Sequence, residues 1–136
     1  MYVLIYDGTC NLCATFVRWL GQVDQGQRFT YVPMQDTATL AQWQITPQDC
    51  DQGMILLDPA APHQRWQGSD AAEEIGRLLP VAQGVIKAYR ALPGAKSVGD
   101  GLYAFIRDHR YKLFGGRHEV YESEYPACES DRCAKF

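Results

Sequence analysis

The segment YDGTCNLCATFVRWL, Tyr6 to Leu20, joins a short apolar run to a helical pattern across a tight turn. The run before it, YVLIY at Tyr2 to Tyr6, does not alternate, which predicts a central strand of a parallel sheet buried on both faces. After the turn, apolar side chains recur at helical spacing: Leu12, Phe16, Leu20 and Val23, with Trp19 beside them. This pattern ends at Gly26. Cys10 and Cys13 therefore lie where a strand passes into the first turn of a helix.

The pattern continues with elements of both kinds. Three strands and two helices are predicted: strands at 28–32, 54–58 and 65–67, a short helix capped by Asp36, and a helix from Ser69 or Asp70 to Pro80. The order βαβαββα indicates the α/β fold class. We expect a single domain over residues 1–136, with the βαβαββα core at 1–80, a helical extension at 81–116 and a polar tail at 117–136.

Within the extension, residues 81–92 are weakly helical and the glycine-rich segment 93–101 is predicted to be a loop. An amphipathic helix follows, and its apolar stripe is expected to pack on the core: Leu102, Phe105, Ile106, His109 and Leu113. The basic residues Arg107, Arg110, Lys112 and Arg117 are interpreted as a solvated face. Among the tryptophans, we expect Trp19 and Trp66 in the core and Trp43 to be partly exposed.

Composition limits the class of protein. The hydrophobic fraction is 46%, the charged fraction is 21%, and the net charge is −3, so nothing favours nucleic acid as a partner. The amino-terminal apolar run lacks a basic region and is too short for a signal peptide or a membrane span. We therefore expect a cytoplasmic monomer that does not associate with membranes.

In the cytoplasm thiols are kept reduced, so the five cysteines indicate catalytic, metal-binding or incidental roles rather than a disulfide framework. The position of the Asp-Gly-Thr sequence at residues 7–9 argues against phosphatase chemistry. Phosphatases of the haloacid-dehalogenase type use Asp-x-Asp-Gly-Thr, and aligning their motif on the Asp-Gly-Thr at Asp7 places Ile5 at the nucleophile position. Isoleucine cannot attack phosphorus.

Redox chemistry needs one exposed, partly ionised thiol and a second thiol within reach. At the start of a helix the sulfur of Cys10 faces free N–H groups and the positive end of the dipole, which favour the thiolate. Cys13, one turn later, is predicted to be more sheltered. We therefore predict Cys10 as the nucleophile and Cys13 as the resolving thiol. Asp7 is interpreted as a proton acceptor for Cys13, as a hydrogen-bonding brace of the loop, or as a turn residue before Gly8.

Zinc binding is the alternative. Cys10, Cys13, Cys128 and Cys133 could close a structural tetrahedral site without enzymatic function. The second pair could also exchange with the first as a relay, or have no function. Cys50 is interpreted as a bystander. The redox interpretation requires no metal and no bound cofactor.

The spacing of Asp7, Cys10 and Cys13 after a first strand resembles the DCC family of thiol-disulfide oxidoreductases, which has an Asp-x-x-Cys-x-x-Cys signature. The likeness continues in MILLD, in RWQGSDAAEEIGRLL and in GLYAFIRDHRYKLFGG. It implies a thioredoxin-like fold and a protein-disulfide reductase activity carried by Cys10 and Cys13, with a protein or small-molecule disulfide as substrate and a thiol as electron donor. Thioredoxins usually have a cis-proline before the third strand, where this chain has Asp51, Gln52 and Gly53.

Overall fold

The computed structural model describes residues 2–80 and 82–126, which form a four-stranded sheet covered by helices. The strands are β1 (Tyr2–Tyr6), β2 (Phe29–Pro33), β3 (Ile55–Asp58) and β4 (Ala61–Gln67). The helices are α1 (Asn11–Asp24), α2 (Thr37–Ala41), α3 (Ser69–Leu78), α4 (Gln83–Ala91) and α5 (Ala95–Phe114), and a 3-10 helix spans Asp49–Gln52. The sheet order is β2-β1-β3-β4, with β1 parallel to β2 and antiparallel to β3. The predicted α/β, thioredoxin-like βαβαββα order with a helical extension is confirmed.

Side chains of β1 alternate between two apolar clusters, as the pleat requires. One cluster joins the sheet to α1 and α3: Leu4, Tyr6, Val17, Leu20, Phe29, Tyr31, Leu56, Ala71, Ile75 and Leu79. The other lies under α2 and the 3-10 helix: Val3, Ile5, Val32, Leu40, Trp43, Ile45, Cys50, Ile55 and Leu57. Because β1 is buried on both faces, its carboxyl end is a rigid support for the loop that carries Cys10.

The buried face of α1 differs from the predicted stripe. The helix buries Ala14, Val17, Leu20, Gly21 and Asp24, whereas Val23 is 42% exposed. Asp24 is buried because its Oδ2 accepts hydrogen bonds from the backbone N–H groups of Arg28 (2.8 Å) and Phe29 (3.0 Å). A prediction based on the spacing of large apolar residues does not detect small or acidic residues on a buried face.

Two of the tryptophan assignments are wrong. Trp19 is 48% exposed and packs beside Phe16, with ring centroids 6.1 Å apart. Trp43 is only 6% exposed and belongs to the cluster under α2. Trp66 packs against the first cluster in a partly buried position.

The predicted loop at 93–101 is also wrong, because α5 begins at Ala95, directly after Gly94. Tertiary contacts overcome the low helix propensity of glycine here. A side chain at Gly99 would collide with the hydroxyl of Tyr89, so the glycine permits close packing of α4 on α5. Lys96 pairs with Glu73 (3.2 Å) and Asp100 (3.0 Å).

Three residues of the apolar stripe predicted for α5 face outward instead of packing on the core. Leu102, Phe105 and Leu113 are each more than half exposed. The inward side of the helix carries Tyr103 and Arg110, which line a cavity with Ile106. Within the described ranges, no helix combines the length and the hydropathy needed to cross a bilayer.

Candidate dithiol site

Cys10 and Cys13 are free thiols at the start of α1. Cys10 is the N-cap residue, with extended backbone angles (φ −95°, ψ 124°), and its C=O accepts a hydrogen bond from the N–H of Ala14 at 2.9 Å. The first N–H groups of a helix lack partners within it and point toward the N-cap residue, although the side chain of Cys10 makes no cap hydrogen bond here. Cys13 lies one turn into the helix and is partly buried.

The two thiols differ in acidity. The hydrogen bond from Cys13 lowers the pKa of the Cys10 thiol to about 6; burial opposes this, while the N–H groups of Cys13 and Leu12 and the charge of Arg110 support it. The hydrogen bond to Cys10 raises the pKa of Cys13, and burial adds to that effect. Both shifts favour the ionised form on Cys10 and the protonated form on Cys13.

Asp7 directly follows β1 and is only 5% exposed. Its Oδ1 accepts hydrogen bonds from Thr9 N (3.0 Å), Thr9 Oγ1 (2.8 Å) and Gln35 Nε2 (2.9 Å). Its Oδ2 accepts from Tyr111 Oη and from Arg110 Nη2, the latter at 3.2 Å. Burial would raise the pKa of the Asp7 carboxyl, but the hydrogen bonds from Tyr111, Gln35 and Thr9 prevail and lower it. Asp7 thus joins three separate parts of the chain as an anion.

Arg110 is a site residue that sequence reasoning missed, because it was interpreted as part of a solvated face. Its side chain is 14% exposed, it pairs with Asp7, and its Nε has no hydrogen-bond partner among the described residues. Its charge favours the ionised forms of both thiols. The only signal was its position in GLYAFIRDHRYKLFGG, one of the segments that carry the resemblance.

The expected exposure of the two thiols is reversed. Cys10 has no exposed surface, and residues 115–117, hereafter the covering segment, pair with its loop through an antiparallel bridge between Cys10 and Gly116. The N–H of Asn11 donates to the C=O of Gly115 (3.2 Å), and the N–H of Arg117 donates to the C=O of Thr9 (2.7 Å). The start of a helix is predicted from neighbouring residues alone. The burial of Cys10 beside a segment 105 residues later could not be predicted in that way.

Cys13 borders a cavity of about 260 Å³ between α1, α5 and the loop before β3. Its lining is mostly apolar, with Leu12, Phe16, Met34 and Met54 among its residues. Cys50 also borders it, and burial raises the pKa of the Cys50 thiol to about 11. The cavity therefore offers an apolar surface next to one sulfur of the pair.

Opposite the cysteines, the loop before β3 contains no cis peptide bond at 51–53. Gly53 has a φ of +120°, and the N–H of Met54 donates to the hydroxyl of Tyr103 at 3.2 Å. The position where thioredoxins usually have a cis-proline is therefore held by a contact to α5.

The zinc hypothesis depends on Cys128 and Cys133, which lie outside the described residues. Over 2–80 and 82–126, no group of three or more His, Cys, Asp or Glu side chains is arranged to hold a metal ion. The proposed relay between the two cysteine pairs likewise falls on residues that the structure does not describe.

Comparison with known proteins identifies the family of this chain. The family model of the DCC1-like thiol-disulfide oxidoreductases matches residues 4–116, which include the cysteine pair, Asp7 and Arg110. The uncharacterized protein YuxK of Bacillus subtilis (strain 168) is 29% identical over 119 residues, covering 86% of this chain and 83% of YuxK. No solved structure matches significantly. The chain belongs to the DCC1-like thiol-disulfide oxidoreductase family.

Proposed function

We propose that this chain is a thiol-disulfide oxidoreductase that reduces disulfide bonds of proteins, with Cys10 as the nucleophile and Cys13 as the resolving thiol. The observation that carries the proposal is the placement of two free thiols at the start of α1, with Cys10 as the N-cap residue and Cys13 one turn into the helix. The lowered pKa of Cys10 and the raised pKa of Cys13 support the assignment of the two roles. A thiolate is the attacking species in disulfide exchange, and a thiol with a pKa near ambient pH attacks most effectively.

In the first step the Cys10 thiolate attacks one sulfur of the substrate disulfide. A bond forms between Cys10 Sγ and that sulfur while the substrate S–S bond breaks, and the second substrate sulfur leaves as a thiolate that takes up a proton. The product is a mixed disulfide on Cys10.

Forming the mixed disulfide changes the environment of Cys13. The hydrogen bond to the Cys10 thiolate and the negative charge of that thiolate, two causes of the raised pKa of Cys13, both disappear. The charge of Arg110, which lowers the pKa of Cys13, remains. Cys13 then loses its proton to solvent and attacks Cys10 Sγ, which closes the Cys10–Cys13 disulfide and releases the other substrate sulfur.

Two electrons have then passed from the dithiol to the substrate, so an external thiol must reduce the Cys10–Cys13 disulfide before the next cycle. We place this cycle in the cytoplasm, where such donors keep thiols reduced.

Asp7 acts in this proposal as a positioning residue and not as a base. Its low pKa and its five hydrogen bonds make it a poor proton acceptor at neutral pH. Its pairing with Arg110 holds the guanidinium where it favours ionisation of both thiols.

The lowered pKa of Cys10 predicts the pH dependence of its alkylation. Because only the thiolate reacts, the rate with iodoacetamide should rise as the pH rises through about 6 and should level off above pH 7. Peptide mass mapping of quenched samples assigns each adduct to its cysteine. Cys50 is an internal control whose rate should still be rising at pH 9, because the pKa of its thiol is raised to about 11.

The variant Arg110→Gln tests the electrostatic part of this prediction. Loss of the positive charge should move the alkylation profile of Cys10 to higher pH without changing that of Cys50. A wild-type profile for Cys10 with a midpoint above pH 8 would contradict the proposed thiolate.

A further inference from the structure

The covering segment is paired with the cysteine loop as one strand is paired with another. Cys10 and Gly116 form an antiparallel bridge, flanked by the hydrogen bonds from Asn11 N to Gly115 O and from Arg117 N to Thr9 O. Since the bonds are made by the flanking residues, Cys10 and Gly116 are a non-hydrogen-bonded pair, the kind in which opposite side chains are closest.

We propose that the backbone of Thr9 and Asn11 is the docking edge for an extended substrate polypeptide, which displaces the covering segment and places its own cysteine opposite Cys10. This inference rests on the proposed function. It concerns which substrate the dithiol accepts and how that substrate is held.

The geometry of the pair suits disulfide exchange. Opposite Cα atoms in a non-hydrogen-bonded pair are about 4.5 Å apart, and a disulfide joins residues whose Cα atoms are about 4.4 to 6.8 Å apart. A substrate cysteine in the place of Gly116 is therefore within bonding reach of Cys10 Sγ. Gly116 itself has no side chain, so the covering segment occupies the edge without reacting.

Access to the thiolate also requires displacement, because Cys10 has no exposed surface while the covering segment is in place. When the segment leaves, Thr9 O and Asn11 N lose their backbone partners, Arg117 N and Gly115 O. An extended polypeptide restores both backbone bonds, whereas a small disulfide without a peptide backbone restores neither. The edge therefore favours protein disulfides.

The exchange balances as in the proposed cycle. Cys10 Sγ forms a bond to the docked sulfur, the substrate S–S bond breaks, and the leaving sulfur departs as a thiolate. In the Cys13→Ser variant the reaction stops at this mixed disulfide, so docking can be measured in a single step.

The test uses the full chain with Cys13→Ser and three pentapeptides whose single cysteine is activated with thionitrobenzoate: Val-Thr-Cys-Thr-Val, Val-Thr-Cys-Pro-Val and Val-Pro-Cys-Thr-Val. Release of thionitrobenzoate is followed by absorbance, and each rate is divided by the rate of the same peptide with dithiothreitol. Proline after the cysteine removes the N–H that would donate to Thr9 O. Proline before it removes the N–H at the place of Gly115, which in the structure donates to Tyr111 O and not to the cysteine loop.

We expect the peptide with proline after the cysteine to react about five- to tenfold more slowly than the reference, which corresponds to one lost hydrogen bond. The peptide with proline before the cysteine should react within about twofold of the reference. Equal normalised rates for all three peptides would overturn the docking edge and leave the proposed function intact. Failure of every peptide to react with the protein, while each reacts with dithiothreitol, would overturn the proposed function and this inference with it.

A matched pair of variants tests displacement separately. Arg117→Pro removes the N–H that ties the covering segment to Thr9, whereas Arg117→Ala keeps it. We expect alkylation of Cys10 to be about five- to tenfold faster in Arg117→Pro and within about twofold of wild type in Arg117→Ala. Unchanged rates in both variants would show that the covering segment does not control access to Cys10, which would overturn the inference.

Discussion

The variant Cys10→Ser should lose disulfide reductase activity by a factor on the order of a thousand or more. Serine keeps the size of the side chain, but its hydroxyl is not ionised near neutral pH and cannot form the mixed disulfide. The measurement is reduction of insulin disulfides with dithiothreitol as electron donor, followed as turbidity, with the rate without protein subtracted.

Two further variants make the result specific. Cys50→Ala removes a buried thiol that borders the same cavity and should keep activity within about twofold, since exchange at the proposed pair does not involve it. Cys13→Ser should react once with a disulfide and then stop as a mixed disulfide. Retention of wild-type activity by Cys10→Ser would reject the assigned roles of the two thiols.

The variant Asp7→Ala should lower the free energy of unfolding by about 3 kcal/mol. The substitution leaves the guanidinium of Arg110, whose side chain is 14% exposed, without its anion. It also removes the acceptor of Tyr111, Gln35 and Thr9, so contacts between α5, the β2–α2 loop and the cysteine loop are lost together. Urea denaturation of the reduced protein measures the change.

A double-mutant cycle separates the ion pair from the other contacts. Arg110→Met removes the stranded charge, so the double variant Asp7→Ala with Arg110→Met should be more stable than the sum of the two single losses predicts, by at least about 1 kcal/mol. Asp7→Asn keeps an acceptor for Thr9 and should lose less than Asp7→Ala. Simple additivity would contradict a direct coupling between Asp7 and Arg110.

The sheet and the first helix could be predicted because their signals are local. YVLIY is a buried strand by its composition, and its two side-chain sets enter two different clusters. The placement of Cys10 at the helix start also follows from local signals, namely the strand, the turn residues and the helical spacing after them. The apolar pattern did not predict that Gly21 and Asp24 lie on the buried face of α1.

The remaining features of the site depend on contacts between distant parts of the chain. Arg110 reaches Asp7, and the covering segment reaches Cys10, because the carboxyl-terminal end of α5 lies against the amino-terminal end of α1. The spacing of residues in the sequence does not predict that these two helix ends meet. The start of α5 was not predicted for the same reason. Gly99 lies within the helix because Tyr89 of α4 packs closely against it, which is a contact between two helices.

The proposed roles of the two thiols require that the first covalent bond between this chain and a disulfide forms on Cys10, and that bond can be located. Cys13→Ser should be incubated briefly with a limiting amount of oxidised peptide at pH 7, quenched with acid and mapped by mass spectrometry. The peptide should be found on Cys10, well ahead of Cys50, Cys128 and Cys133. A peptide spread evenly over the four cysteines, or absent from Cys10, would contradict the proposed roles.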